Sequence, residues 1–109
     1  MPNHHFGIMQ KAPCSGERYD LFEPEKYNCI SVDDRYILPL CQKLNMTKSY
    51  WHTMDRPEYG LAYWGITLIP PESLDSVIQL IWGTKELSEL AEILIRAQHE
   101  NKYVIHFDV

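Results

Sequence analysis

The stretch Glu58 to Trp82, EYGLAYWGITLIPPESLDSVIQLIW, constrains the fold more than any other part of this 109-residue chain. Gly60 to Ile69 is rich in aromatic and β-branched residues, the composition of a strand on a half-buried pleated surface. Pro70 and Pro71 carry no backbone N–H and cannot extend a ladder, so the strand has to stop at Ile69. Pro71 suits the first turn of a helix, where a missing N–H has no intrahelical partner to lose, and Glu72 complements the positive end of the helix dipole. Leu74, Val77, Ile78 and Ile81 then recur at helical spacing and form one apolar stripe, which needs a sheet to pack on.

The same reading extends outward from this segment. Gly83 closes one helix and Thr84 is a plausible cap for the next, whose buried stripe is Leu87, Leu90, Ala91 and Leu94. From Tyr103 the chain alternates Tyr103, Ile105, Phe107 and Val109 against Val104, His106 and Asp108, the pattern of a strand with one covered face. Two consecutive helices between these two strands bring the chain back to where it left the sheet, so the strands are expected to be antiparallel. Upstream, residues 1–25 contain Pro2, Pro13, Gly16 and Pro24 and read as mostly irregular, with a short strand near Phe6 to Met9. Tyr27 to Val32 suits a second short strand, and Ile37, Leu40, Cys41, Leu44, Trp51 and Met54 share one face of a helix placed from Tyr36 to His52. The expectation is a single α+β domain over residues 1–109: one single-layer, mainly antiparallel sheet packed against about three helices.

Composition narrows the function classes. Hydrophobic residues make up 45% of the chain, which supports a packed core, and no apolar run reaches the roughly 18 residues that a membrane helix needs. The first residues lack a basic end followed by an apolar run, so a cytoplasmic location is expected. Cys14, Cys29 and Cys41 include no Cys-x-x-Cys pair, and the five histidines show no metal-ligand spacing, so neither metal nor cofactor is expected. The formal net charge of −5 disfavours nucleic acid as a partner and favours a basic one. That charge is concentrated: residues 17–34 hold six acids against Arg18 and Lys26, and residues 35–54 hold none.

His106 and Asp108, two apart on the final strand, share a face and form the best available carboxylate-oriented imidazole, although no nucleophile is placed beside them and the polar outer face of an edge strand is the stronger explanation. Gly83-Thr84-Lys85 lacks the spacing of a phosphate loop and is followed by Glu86 and Glu89, so it reads as ordinary capping. No catalytic set is therefore assigned. Glu86, Glu89 and Glu92 line one face of the third helix, with Glu92 and Arg96 in the favourable i,i+4 order. Tyr50, Tyr59 and Tyr63 belong to a run dense in the aromatic types that dominate interface hot spots. Together with Asp20, Glu23, Glu25, Asp33 and Asp34, these glutamates and tyrosines are the candidate partner-binding residues.

Gly60 to Ile81, GLAYWGITLIPPESLDSVIQLI, resembles the strand and PPES-helix segment of small bacterial immunity proteins from polymorphic and contact-dependent inhibition toxin systems. The resemblance spans about a fifth of the chain, through residues that are structural, and it carries over no contact residue. It implies a non-catalytic protein that binds and neutralises a cognate toxin domain, and the acidic composition points to a basic nuclease as that domain. Two alternatives stand beside it: a small enzyme or ligand-binding domain using His106 and Asp108, and a structural or regulatory module that self-associates through its aromatics or an open strand.

Overall fold

The computed structural model describes residues 3–62 and 64–108. Six strands, β1 (Asn3–Ile8), β2 (Ile30–Asp33), β3 (Lys48–Trp51), β4 (Pro57–Tyr59), β5 (Ile66–Ile69) and β6 (Val104–Asp108), form one sheet in the order β2-β1-β6-β5-β3-β4. Every pairing is antiparallel, including β5 with β6 as the two-helix connection requires. Three helices, α1 (Asp34–Cys41), α2 (Leu74–Ile81) and α3 (Ser88–Glu100), complete the α+β architecture. None is long and apolar enough to cross a membrane.

The double proline acts as its chemistry dictates. β5 ends at Ile69, Pro71–Ser73 makes one 3₁₀ turn, and α2 begins at Leu74. Leu74, Val77, Ile78 and Ile81 of α2 are all buried, as are Leu90, Ala91, Ile93, Leu94 and Ala97 of α3. These two stripes pack with Phe6, Ile8, Val32, Ile69 and Val104 from one face of the sheet. At about 1.5–3 kcal/mol for each large side chain removed from water, this cluster is the principal source of stability. α3 stops at Asn101, which takes the left-handed conformation (φ 55) and returns its N–H to the carbonyls of Ala97 and Gln98.

The opposite face of the sheet is also covered, and by chain with little regular structure. Met9, Ile66, Leu68, Ile105 and Phe107 form a second cluster against Tyr19, Tyr27, Cys29 and Tyr50. The segment between β1 and β2 lies over this face, tied by Tyr19 N–H to the His52 carbonyl at 2.7 Å and by an edge-on contact of Phe22 with Phe107. Gly7 makes the approach possible. A Cβ there would lie 2.6 Å from the Tyr27 carbonyl oxygen and 2.7 Å from Cys29 Sγ.

Several expected elements differ: β1 begins at Asn3 rather than near Phe6, and β2 begins at Ile30 because Pro24–Tyr27 forms a 3₁₀ turn. The helix placed from Tyr36 to His52 ends at Cys41, and Lys48–Trp51 is a strand. Pro39 lies inside α1 and supplies no N–H to the Arg35 carbonyl, while the β-favouring Tyr50 and Trp51 gain pairing with Leu68 and Thr67 of β5. The strand expected from Gly60 begins only at Ile66, because Gly60 (φ 77) and Trp64 (φ 51) both take left-handed backbone. Pro57 opens the edge strand β4, where its missing donor is tolerated.

Candidate functional site

The polar side of β6 is the principal surprise of the fold. β6 lies between β1 and β5 rather than at an edge, all five of its residues are buried, and His106 is 0% exposed. The reading of His106 and Asp108 as a polar outer face is thereby corrected. Period-two alternation does point them to one face, but it is the helix-covered face, which also carries His4 of β1 and Thr67 of β5. Antiparallel register sets His4 opposite Asp108, and His106 opposite both Phe6 and Thr67. The two histidines are diagonal neighbours on adjacent strands, and their facing ring nitrogens are 2.8 Å apart.

The hydrogen bonds run in one chain. The Ala62 N–H donates to Thr67 Oγ1 at 2.7 Å, and that hydroxyl lies 3.4 Å from His106 Nδ1. His106 Nε2 meets His4 Nδ1, and His4 Nε2 meets Asp34 Oδ1 at 2.6 Å. Because a carboxylate only accepts, His4 carries its proton on Nε2 when neutral; His106 Nε2–H then donates to His4, and the Thr67 hydroxyl donates to His106 Nδ1. With both rings neutral, this is the one arrangement that satisfies every contact. Burial first, and then the charges of His4 and His5, hold the His106 pKa well below the ordinary imidazole range. The carboxylate-oriented imidazole expected from His106 and Asp108 is made by His4 and Asp34 instead. Asp108 accepts the Trp64 N–H at 3.0 Å through Oδ2, and its Oδ1 lies 3.9 Å from His4 Nε2.

Beside this network is a cavity of about 250 Å³, lined among others by His4, Asp108, Leu38, Cys41, Trp51 and Tyr59. It opens to solvent where Leu38 and Tyr59 are 59% and 60% exposed. Asp108 is 8% exposed. The Cys41 thiol donates to the Ile37 carbonyl, and its pKa is raised by burial and then by the charges of Asp108 and Asp34. A thiol so protonated is a poor nucleophile. Cys29 is pushed up to about 11 by burial and by Glu25, and Thr67 is wholly buried. Among the described residues no group of three or more His, Cys, Asp and Glu is arranged to hold a metal. The arrangement orders polar groups of β1, β5, β6 and the start of α1 beside the cavity.

The candidate partner-binding residues fall on separate parts of the molecule. Asp20, Glu23 and Glu25 lie in the covering segment between β1 and β2, where Asp20 pairs with Arg18 at 2.8 Å and Glu23 with Lys26 at 4.0 Å. The Arg18 hydrogen bond lowers the Asp20 pKa. Asp33 caps α1 through the Arg35 N–H, which lowers its pKa, and Asp34 belongs to the histidine network. Tyr50 is half-buried against the second cluster, whereas Tyr59 lines the cavity. Tyr63 lies outside the described residues, as does Val109 of the expected alternation. Glu86, Glu89 and Glu92 are exposed on the turn before α3 and on α3 itself, and among the described residues they take part in no salt bridge, so the expected Glu92–Arg96 pair is not formed.

His4 stands outside every candidate set drawn from the sequence. Its signal lies in the alternation His4, Phe6, Ile8, which places His4 on the core face once β1 is begun at Asn3 rather than at Phe6. Comparison with protein-family models, with curated proteins and with solved structures finds no match to this chain.

Proposed function

We propose that this chain is a non-catalytic immunity protein that binds and neutralises a cognate bacterial toxin domain, and that the domain is basic, as a nuclease domain would be. The observation that carries this reading is the apolar rim of the cavity. Leu38 and Tyr59 stand exposed at its opening, and Trp64, also exposed, is tied to the cavity by the hydrogen bond that its backbone N–H donates to Asp108 Oδ2. Large exposed side chains around a desolvated centre are the makings of an interface hot spot. The charge agrees, since the chain carries −5 overall and, among the described residues, Glu86, Glu89 and Glu92 take part in no salt bridge. Electrostatic attraction of that kind accelerates encounter with a basic partner.

The test is co-expression with the product of the adjacent reading frame. A purified one-to-one complex, together with rescue of growth from that product's toxicity, is the expected result. Absence of both a complex and protection overturns the proposal. As a module of this kind, the protein uses its buried histidines to hold the cavity's shape, and needs no substrate turnover.

A further inference from the structure

The cavity between α1 and the loop that follows β4 combines three properties that define its occupant. Its size, about 250 Å³, is below the roughly 300 Å³ at which small-molecule sites begin, and suits a single side chain. Its lining includes Trp51 and Tyr59, whose ring faces attract cations. It holds the buried Asp108, whose Oδ2 accepts the Trp64 N–H while its Oδ1, 3.9 Å from His4 Nε2, has no hydrogen-bond donor among the described residues. Among the described residues, no lysine or arginine lines it. Arg56 lies 5.4 Å from the Trp51 ring and is engaged by Glu58 at 3.1 Å without lining the cavity.

The carboxyl groups of Asp34 and Asp108 both lie on this side of the sheet, 2.6 Å and 3.9 Å from His4 Nε2. We propose that this cavity is the socket for one arginine side chain of a protein partner, its guanidinium bonded to Asp108 Oδ1 and stacked against the Tyr59 and Trp51 rings. Arginine fits better than lysine. Its planar, weakly hydrated cation stacks on aromatic faces and offers several donors in a fixed fork to a carboxylate already partly desolvated. The proposal rests on the basic-partner reading above and gives that partner an anchor residue.

The direct test titrates the full-length protein with N-acetyl-arginine methylamide and follows the backbone and indole amides by NMR. N-acetyl-citrulline methylamide serves as the uncharged shape control, and the lysine analogue as the test of planarity. The expected result is a set of shifts at Leu38, Tyr59, Gly60, Ala62 and the Trp51 indole, with the citrulline analogue at least about tenfold weaker and the lysine analogue intermediate. Asp108→Asn retains an acceptor for the Trp64 amide and should weaken arginine binding by about tenfold or more. Leu38→Lys places a cation at the exposed opening without disturbing the core and should do the same. Equal binding of the arginine and citrulline analogues, or shifts confined to the Glu86–Glu92 surface, overturns the socket. A partner that binds wild type, Asp108→Asn and Leu38→Lys equally also overturns it while leaving the immunity reading intact. Failure of the partner to bind, with arginine shifts as described, instead refutes the immunity reading and leaves the socket standing.

Discussion

Acidification should destabilise this protein chiefly through His106, with His5, whose pKa burial also lowers, acting in the same direction, and the size of the His106 effect follows from where that ring sits. His106 is wholly buried among Phe6, His4 and Thr67, with His5 and Asp108 the other titratable groups that act on it or share its strand face. In the unfolded chain it titrates near 6.5, as a free imidazole does. In the fold its pKa lies well below that value, chiefly because burial penalises the charged ring. Above pH about 6.5 neither state binds the extra proton, and His106 contributes no pH dependence. Below it the unfolded state takes up a proton that the native state refuses, so stability falls as pH falls. The slope approaches about 1.4 kcal/mol per pH unit, and between pH 6.5 and 5.0 the loss is about 2 kcal/mol while the native ring stays neutral. The carboxylates with lowered pKa, Asp20, Asp33, Asp55 and Glu100, lose their contribution mainly below about pH 4.5, outside this window. Urea denaturation across these pH values, on wild type and on His106→Gln, isolates the term. A glutamine amide can donate toward His4 and accept from Thr67, and it does not titrate. The variant should be less stable at pH 7.5, yet lose about 2 kcal/mol less than wild type between pH 6.5 and 5.0. Parallel stability curves for the two proteins in that window would refute the reasoning, because they would mean that the buried ring protonates as readily folded as unfolded.

Gly7→Ala should cost about 1–3 kcal/mol in thermal or urea denaturation, because the new methyl meets the rigid Tyr27 carbonyl as well as the Cys29 thiol. Asp34→Ala should cost about 1–3 kcal/mol by leaving His4 Nε2–H unpaired in the interior, while Asp34→Asn, which keeps an acceptor, should cost less. Leu94→Ala, at a position that is wholly buried between helix and sheet, should lose about 2–5 kcal/mol. Titration with a thiol reagent should label Cys14 rapidly in the native protein and Cys29 and Cys41 only slowly, with all three reacting promptly in denaturant.

How much of this was legible in the sequence depended on whether a local rule acted alone. At Pro70–Pro71 and along Leu74, Val77, Ile78 and Ile81, backbone chemistry and periodicity agree, and α2 lies where they place it. At Leu44 to Trp51 they conflict. The apolar spacing continues in helical register after Cys41, but Tyr50 and Trp51 gain a ladder on β5 that is more than fifteen residues away, a benefit no local window contains. The buried cluster was obscured for a related reason. His106 and Asp108 look like a solvated face until β6 is known to be central, and His4 and Asp34 reach them only through the β1–β6 register and the start of α1. Alternation reported correctly that Ile105 and Phe107 share a face; it could not report that irregular chain would cover that face while the helices covered the polar one.

The placement of polar atoms on β6 has a consequence for how the sheet finds its alignment. Val104 to Asp108 is buried on both faces, so apolar burial by itself does little to distinguish one sliding position from another. A slip of one residue would turn His106 toward Phe22 and Tyr27 and send Phe107 to the side of Thr67 and Asp34. A slip of two would keep the faces but part His106 from His4 and Asp108 from the Trp64 amide. Each abandoned bond would leave a polar group unpaired in the interior at about 1–3 kcal/mol. The histidines and carboxylates thus act as a vernier, telling the strand at the middle of the sheet how far to slide between β1 and β5 before it stops.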